Sequence, residues 1–276
     1  MRRQIVVTLH ALRAAMARWR HGPGVVALVH GTGHGLFALD VQDSAMARHL
    51  RSGRPWGERE LAAVEPYLTA GSRVLVVGAH VGTLAVPLAR SARAVVAIEP
   101  NPDTYRLLAA NLALNGVANC RTVNVAAGDR NEEIEFLVSR ANSGGSKRLP
   151  RAWRRLYYYD HPRTVRVKAV RLDDLLPDES FDVVVMDAEG SEYFALKGME
   201  RILAGARALE VEFEPHHLRD VAGVTVDEFV GVIEPHFTRL LIPSRSLTVG
   251  REEFAAALRD MYRANQRDDG LVFAKE

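Results

Sequence analysis

The sequence predicts an α/β fold, a mostly parallel sheet with helices on both faces. Three observations carry that prediction. From residue 72, short β-branched apolar runs alternate with helical stretches. The first such run ends in a glycine, Gly78. Acidic residues gather at or just past the ends of later runs, at Glu99, Asp187 and Glu212. Strands separated by helices pair in parallel, because each crossover returns the chain to the same end of the sheet.

Composition sets the outer bounds. The chain has 276 residues, 47% hydrophobic and 25% charged, which suits one large folded domain with an extension. A net charge of +2 does not advertise a polyanion partner. The single cysteine, Cys120, rules out an intrachain disulfide and a cysteine-based zinc site. No apolar run approaches the ~20 residues of a membrane span. Arg13 and Arg18 interrupt Met1–Arg20, so a signal-peptide core is not expected, and the expected location is cytoplasmic.

Residues 1–20 read as a helix. Ile5, Leu9, Leu12, Met16 and Trp19 fall at helical spacing and share one face. That stripe docks on the body or a second subunit, giving a homo-oligomer, or else rests on a membrane surface. Val25–Val29 and Leu36–Leu39 flank a glycine-rich turn and read as a hairpin. Residues 1–60 are therefore an extension, and 61–276 the main domain. The expected core strands are Arg73–Val77, Ala94–Ile98 and Cys120–Ala126, with helices Leu84–Arg90 and Thr104–Leu114 between them. Later strands are expected at Ile134–Val138, Val165–Val170, Phe181–Met186, Ala208–Phe213, Thr238–Ile242 and Leu271–Ala274. The His30–Gly35 string is similar to an esterase oxyanion loop, but no G-x-S-x-G nucleophile elbow follows it.

The turn Val77-Gly78-Ala79-His80-Val81-Gly82 opens a ligand site. Glycine permits a sharp turn and close approach, and the following helix offers N–H groups to an anionic group. The next strand ends at Glu99, 21 residues after Gly78, where a carboxylate accepts from ribose hydroxyls. A dinucleotide needs a glycine where His80 stands, to admit pyrophosphate. A nucleoside with an amino-acid tail, S-adenosylmethionine, fits the pattern better. Gly78→Val is expected to block that cofactor and leave the fold intact.

Ligands of open α/β sheets lie beyond the carboxyl ends of the strands. Asp187 and Glu189 end one strand, and Glu210, Glu212 and Glu214 alternate along the next, followed by His216 and His217. Clustered carboxylates raise one another's pKa, so they serve as bases or bind a cation. Asp187, Glu189 and Glu212 form an oxygen-rich set suited to Mg²⁺ or another divalent cation. His216 is the expected general base, with Asp187 and Glu189 as its catalytic partners.

Together the VxGAxxG loop, Ile98-Glu99-Pro100-Asn101-Pro102, Ala113-Leu114-Asn115, Ala127-Gly128-Asp129 and Asp187-x-Glu189-Gly190-x-Glu192 resemble the FkbM-type S-adenosylmethionine-dependent methyltransferases. Phe37-Ala-Leu-Asp40 and Trp56-Gly-Glu58 extend the likeness, which spans roughly residues 36 to 215. The resemblance implies a Rossmann-like class I methyltransferase fold, a seven-stranded sheet with a reversed last strand. It also implies O-methyl transfer to a hydroxyl of a sugar, glycan or natural product. The cofactor-binding set is then Gly78, Ala79, His80, Gly82, Glu99, Pro100, Asn101 and Ala126, with Glu58. The family's loop reads D-x-G-A-N, and this chain has Val77 and His80 in place of the acid and the asparagine. Asp187 or Glu58 is expected to replace the missing acid.

Segment 139–171 is the least family-like and reads as a substrate-side insertion or lid. It carries Lys147, Arg148, Arg151, Arg154, Arg155, Arg163, Arg166, Lys168 and Arg171 among Trp153 and Tyr157–Tyr159. Such a segment suits RNA, so an RNA methyltransferase is one alternative. The near-neutral chain speaks against a nucleic-acid partner, as does the missing N-P-P-Y-type string after the fourth core strand. A catalytically inactive cofactor-binding protein is the other alternative.

Overall fold

A computed structural model describes residues 2–275. Its strands in chain order are β1 (Ala27–Thr32), β2 (Gly35–Asp40), β3 (Arg73–Val77), β4 (Ala94–Ile98), β5 (Cys120–Val123), β6 (Ala126–Ala127), β7 (Glu132–Val138), β8 (Lys147–Arg148), β9 (Arg163–Val170), β10 (Val183–Met186), β11 (Ala208–Phe213), β12 (Arg239–Ile242), β13 (Leu247–Gly250) and β14 (Asp268–Ala274). Eight of them form the main sheet, in the order β13-β12-β14-β11-β10-β3-β4-β5. From β5 to β11 the pairing is parallel; β14 runs antiparallel between β11 and β12. The central strands are apolar on both faces, because helices cover both. One packed layer joins Leu75, Ile98, Met186, Leu209 and Phe273, and the opposite one joins Val74, Val76, Val95, Val183 and Leu108.

Register builds the site. Val77 aligns with Ile98 on one side and Met186 on the other, and Met186 aligns with Val211. Gly78, Glu99, Asp187 and Glu212 each follow one of these residues, so all four emerge side by side. The chain winds outward from β3 through β4 to β5, then returns to lay β10 against β3. The crevice between the two directions is where such sheets bind ligands.

Three expectations change. Cys120–Ala126 is not one strand: β5 ends at Val123, and Ala126-Ala127 pairs with β9 in a second sheet of order β6-β9-β7-β8. Ile134–Val138 and Val165–Val170 also belong to that sheet, as β7 and β9. Their mixed burial suits a sheet covered on one face, unlike the fully buried runs of β3 and β10. Finally, β13 adds an eighth strand to the seven expected, paired antiparallel to β12.

The hairpin turns through Gly33-His34 and is clasped to the body by two asparagines of the Pro102–Leu114 helix end. Asn111 Oδ1 accepts from Ala38 N–H at 2.7 Å, and its Nδ2 donates to the Ala38 and Val81 carbonyls. Asn115 makes the matching pair with Leu36. The N-terminal helix spans Arg2–His21. Its side chains at residues 1–7 and at Arg18 lie outside what the structure describes, so the expectation for Ile5 stands apart. The helix meets the body through His10 and Ala14: His10 Nδ1 lies 2.9 Å from Ser44 Oγ, and Gln42 Nε2 donates to Ala14 O. Leu9, Leu12, Met16 and Trp19 are exposed and do not dock on the body, which leaves a second subunit or a membrane surface for that stripe.

Candidate active site

A cleft of about 300 Å³ opens at the carboxyl ends of β3, β4, β10 and β11. Gly78 begins its floor with φ +83°, and a Cβ there would lie 1.7 Å from the Asp187 carbonyl oxygen. Glycine is therefore required by the neighbouring strand before any ligand arrives, and Gly78→Val disturbs the fold as well as the site. Gly82, at φ +92°, turns the chain against Leu108 and does not line the cleft. The loop's amides are already used. Gly78 and Ala79 N–H donate to Ile98 O, His80 N–H to Glu99 Oε2, and Gly82 N–H to Ala79 O. These four groups are not open to an anionic ligand group.

Glu99 sits at the end of β4 with its carboxylate held between two backbone donors, His80 and Asn101, each at 2.8 Å. Burial pushes its pKa up to about 7 against those two hydrogen bonds. Each oxygen keeps a second lone pair, and the residue lines the cleft beside Pro100, Ala126 and Ile98. A polar acceptor next to an apolar slot is the donor–acceptor pattern that a ribose and its base require. Asn101 is buried and caps the following helix, accepting from Asp103 N–H and donating to Thr104 Oγ1; it does not reach the cleft.

His80 holds a left-handed backbone, φ +51°, which is strained for a residue with a Cβ. Its Nε2 lies 2.6 Å from Ser143 Oγ, and Ser143 donates in turn to the buried Asp43. Burial lowers the His80 pKa to about 4 and raises that of Asp43 to about 6. Sequence reading missed Asp43 as a part of the site, since it stands 100 positions from its partner Ser143.

Asp187 ends β10 and is open to the cleft. Its surroundings nevertheless displace bulk water; this, with Glu189 and Glu192 beside it, lifts its pKa well above the ordinary carboxylate range. Glu189, also at φ +51°, is fixed by Lys147, whose Nζ lies 2.6 Å from Glu189 Oε2 and 3.1 Å from His217 Nε2. Glu192 turns both oxygens back to the Ala188 and Gly190 N–H groups. Burial and the nearby Asp187 raise Glu212 strongly.

These contacts bear on the expected cation site. Among the described residues, carboxylate oxygens of Asp187, Glu192 and Glu212 lie within 4.8 Å of one another. Glu189, expected as the third ligand, is instead paired with a lysine. Glu192 is committed to two backbone donors. The Lys147 ammonium is held by Glu189 beside this group, not by Asp187, Glu192 or Glu212.

His216 is not brought to the cleft. It is buried, with Nδ1 3.0 Å from Tyr157 OH and Nε2 3.3 Å from Glu214 Oε1. A histidine past a strand end has no assured direction, and here the short helical turn Pro215–His217 rotates it behind the site. Glu58 starts the Glu58–Val64 helix without lining the cleft; Glu60 and Trp56 line it instead. The wall opposite Asp187 is Asn142, Ser143, Gly144 and Ser146. Residues 147–160 lie behind that wall: Arg148 stacks on Phe194, Arg154 pairs with Asp220, and Trp153 stacks on Tyr158.

A mostly parallel sheet in which β13 and β14 run reversed, with a glycine turn beside an acid-rich crevice, is the Rossmann-like architecture of class I methyltransferases. The sequence profile of the methyltransferase FkbM domain matches residues 77–239, more than half of the chain, and the chain belongs to that family. No curated protein matches it in sequence. Among solved structures, the methyltransferase FkbM from Methylobacillus flagellatus KT is 17% identical with a TM-score of 0.45, over 74% of this chain and 44% of that one. The present chain thus spans less than half the length of that protein. An rRNA methylase from Streptococcus thermophilus is 12% identical with a TM-score of 0.46, over 79% of this chain and 95% of that one. The tRNA m1G37 methyltransferase of M. jannaschii is 13% identical with a TM-score of 0.45, over 92% and 58% of the two chains.

Proposed function

We propose that this methyltransferase acts on a hydroxyl of a small or glycan-type acceptor, with Asp187 as the base. S-adenosylmethionine, when bound, supplies an activated methyl group on a sulfonium. Glu99 would hold its ribose, and Pro100, Ala126 and Ile98 would flank its base. The acid-rich crevice favours the cofactor's positive charge. An alcohol does not ionise at neutral pH, so the protein must take its proton as the acceptor oxygen attacks.

The observation that carries this reading is the placement of Asp187. It is the carboxylate open to the cleft at the end of the switch-point strand, with a pKa raised well above the ordinary carboxylate range by its surroundings and by Glu189 and Glu192. Glu189, clamped by Lys147, would orient the acceptor without taking its proton. RNA is the less favoured acceptor because Arg148, Arg154 and Arg163 are already paired with acids of the body.

The test is single-turnover methylation across a panel of hydroxylated acceptors by Asp187→Asn. The variant is expected to lose about 10²–10⁴-fold in rate while retaining cofactor affinity. Full turnover by Asp187→Asn places the base elsewhere, and methylation confined to RNA oligonucleotides refutes the acceptor class.

A further inference from the structure

Among the described residues, the N-terminal helix presents an exposed apolar stripe. Leu9, Leu12, Met16 and Trp19 are 43%, 55%, 60% and 86% exposed, while His10 and Ala14, toward the body, are 5% and 4% exposed. Their spacing keeps the four apolar side chains on one face. A helix that only braced the body would bury that stripe; this one buries its small and polar side and displays the apolar one.

Charge in the same segment is one-sided. Residues 1–39 contain Arg2, Arg3, Arg13, Arg18 and Arg20 and no aspartate or glutamate; the first acid is Asp40. The whole chain carries only +2, so this is a local concentration of positive charge. Arg13 and Arg20 are exposed and directly follow stripe residues Leu12 and Trp19. Val26 and Val29, in the same acid-free segment, are 73% and 57% exposed. A second copy docking helix to helix would bring two such basic segments together without compensating acids. A surface of anionic headgroups over an apolar interior complements both properties at once, and an exposed tryptophan suits its boundary.

We propose that the N-terminal helix seats the enzyme on an anionic lipid surface, with Leu9, Leu12, Met16 and Trp19 entering the acyl boundary and Arg13 and Arg20 meeting lipid phosphates. The attachment is peripheral, since no helix among the described residues is long and apolar enough to cross a membrane.

Flotation of the full chain with vesicles tests this, comparing phosphatidylglycerol–phosphatidylcholine mixtures with phosphatidylcholine alone. The parent is expected to float with the anionic vesicles and to be released at about 0.5 M salt. The double variant Leu12→Ser/Trp19→Ser is expected to lose at least about tenfold in partitioning. Arg13→Glu/Arg20→Glu, which keeps the apolar face, is also expected to release the protein. Circular dichroism checks that both variants are folded. Equal flotation of folded variants and parent overturns the proposal, as does absence of the parent from anionic vesicles. Sedimentation without lipid that shows a dimer dissolved by Leu12→Ser/Trp19→Ser also overturns it, assigning the face to a second copy.

Discussion

Glu99 shows how one buried side chain makes ligand affinity depend on pH. Its pKa in the fold, about 7, lies above the ordinary 4.5 because burial disfavours the charge. The protonated form therefore favours the folded state, a contribution present below pH 4.5 and lost as pH rises through 7. Ribose hydroxyls donate best to the ionised form, so cofactor binding pulls the other way. Affinity for S-adenosylmethionine should rise about tenfold between pH 6 and pH 8, and Glu99→Gln should flatten that profile. Calorimetry at the two pH values checks it; an unchanged slope in Glu99→Gln removes Glu99 from the ribose. Residues at strand ends were legible in sequence, because fold topology alone brings Gly78, Glu99 and Asp187 together. The pairs Lys147–Glu189 and Ser143–Asp43 were not, since the partners are distant in the chain and depend on side-chain direction. The same ignorance of direction made His216 look like a cleft residue.

At the scale of elements, the hairpin and the cofactor loop meet on one side chain. Asn111 is fully buried and joins Ala38 of β2 to Val81 of the loop. Replacing it with alanine leaves an amide and two carbonyls without their partner. Asn111→Ala should cost about 2–4 kcal/mol in urea unfolding, beyond the loss expected for one exposed hydrogen bond. An unchanged midpoint would mean that water replaces the amide. The sequence announced the end of this helix at Asn115-Gly116 but gave no sign that Asn111 works across to another element. Strands that are apolar throughout were legible as core strands. The mixed patterns of β7 and β9 carried the information that they lie outside the main sheet, and spacing alone could not reveal their partners.

For the whole molecule, cofactor binding should register as global stability, because the cleft draws on four strands of one sheet. Saturation to about 100 times the dissociation constant adds roughly 2.7 kcal/mol, which for a chain of this size raises Tm by about 5–10 °C. A thermal scan with and without S-adenosylmethionine measures it. Glu99→Ala, scanned at the same cofactor concentration, should show a smaller rise. If parent and variant rise equally, the ligand is stabilising the protein from another site.

The reversed strand has a consequence for the order in which the molecule is made. β14 is the latest strand in the chain, yet it lies between β11 and β12 rather than at an edge. In the main sheet β12 is bonded only to β14 and β13, so the β12–β13 pair has no hold on the sheet until residues 268–274 arrive. On a ribosome, the parallel half from β3 to β11 can gather while the rest of the chain is still being synthesised, leaving β11 as a bare edge. Residues 268–274 seal that edge, and until they pair the strand Ala208–Phe213 is open to other strands.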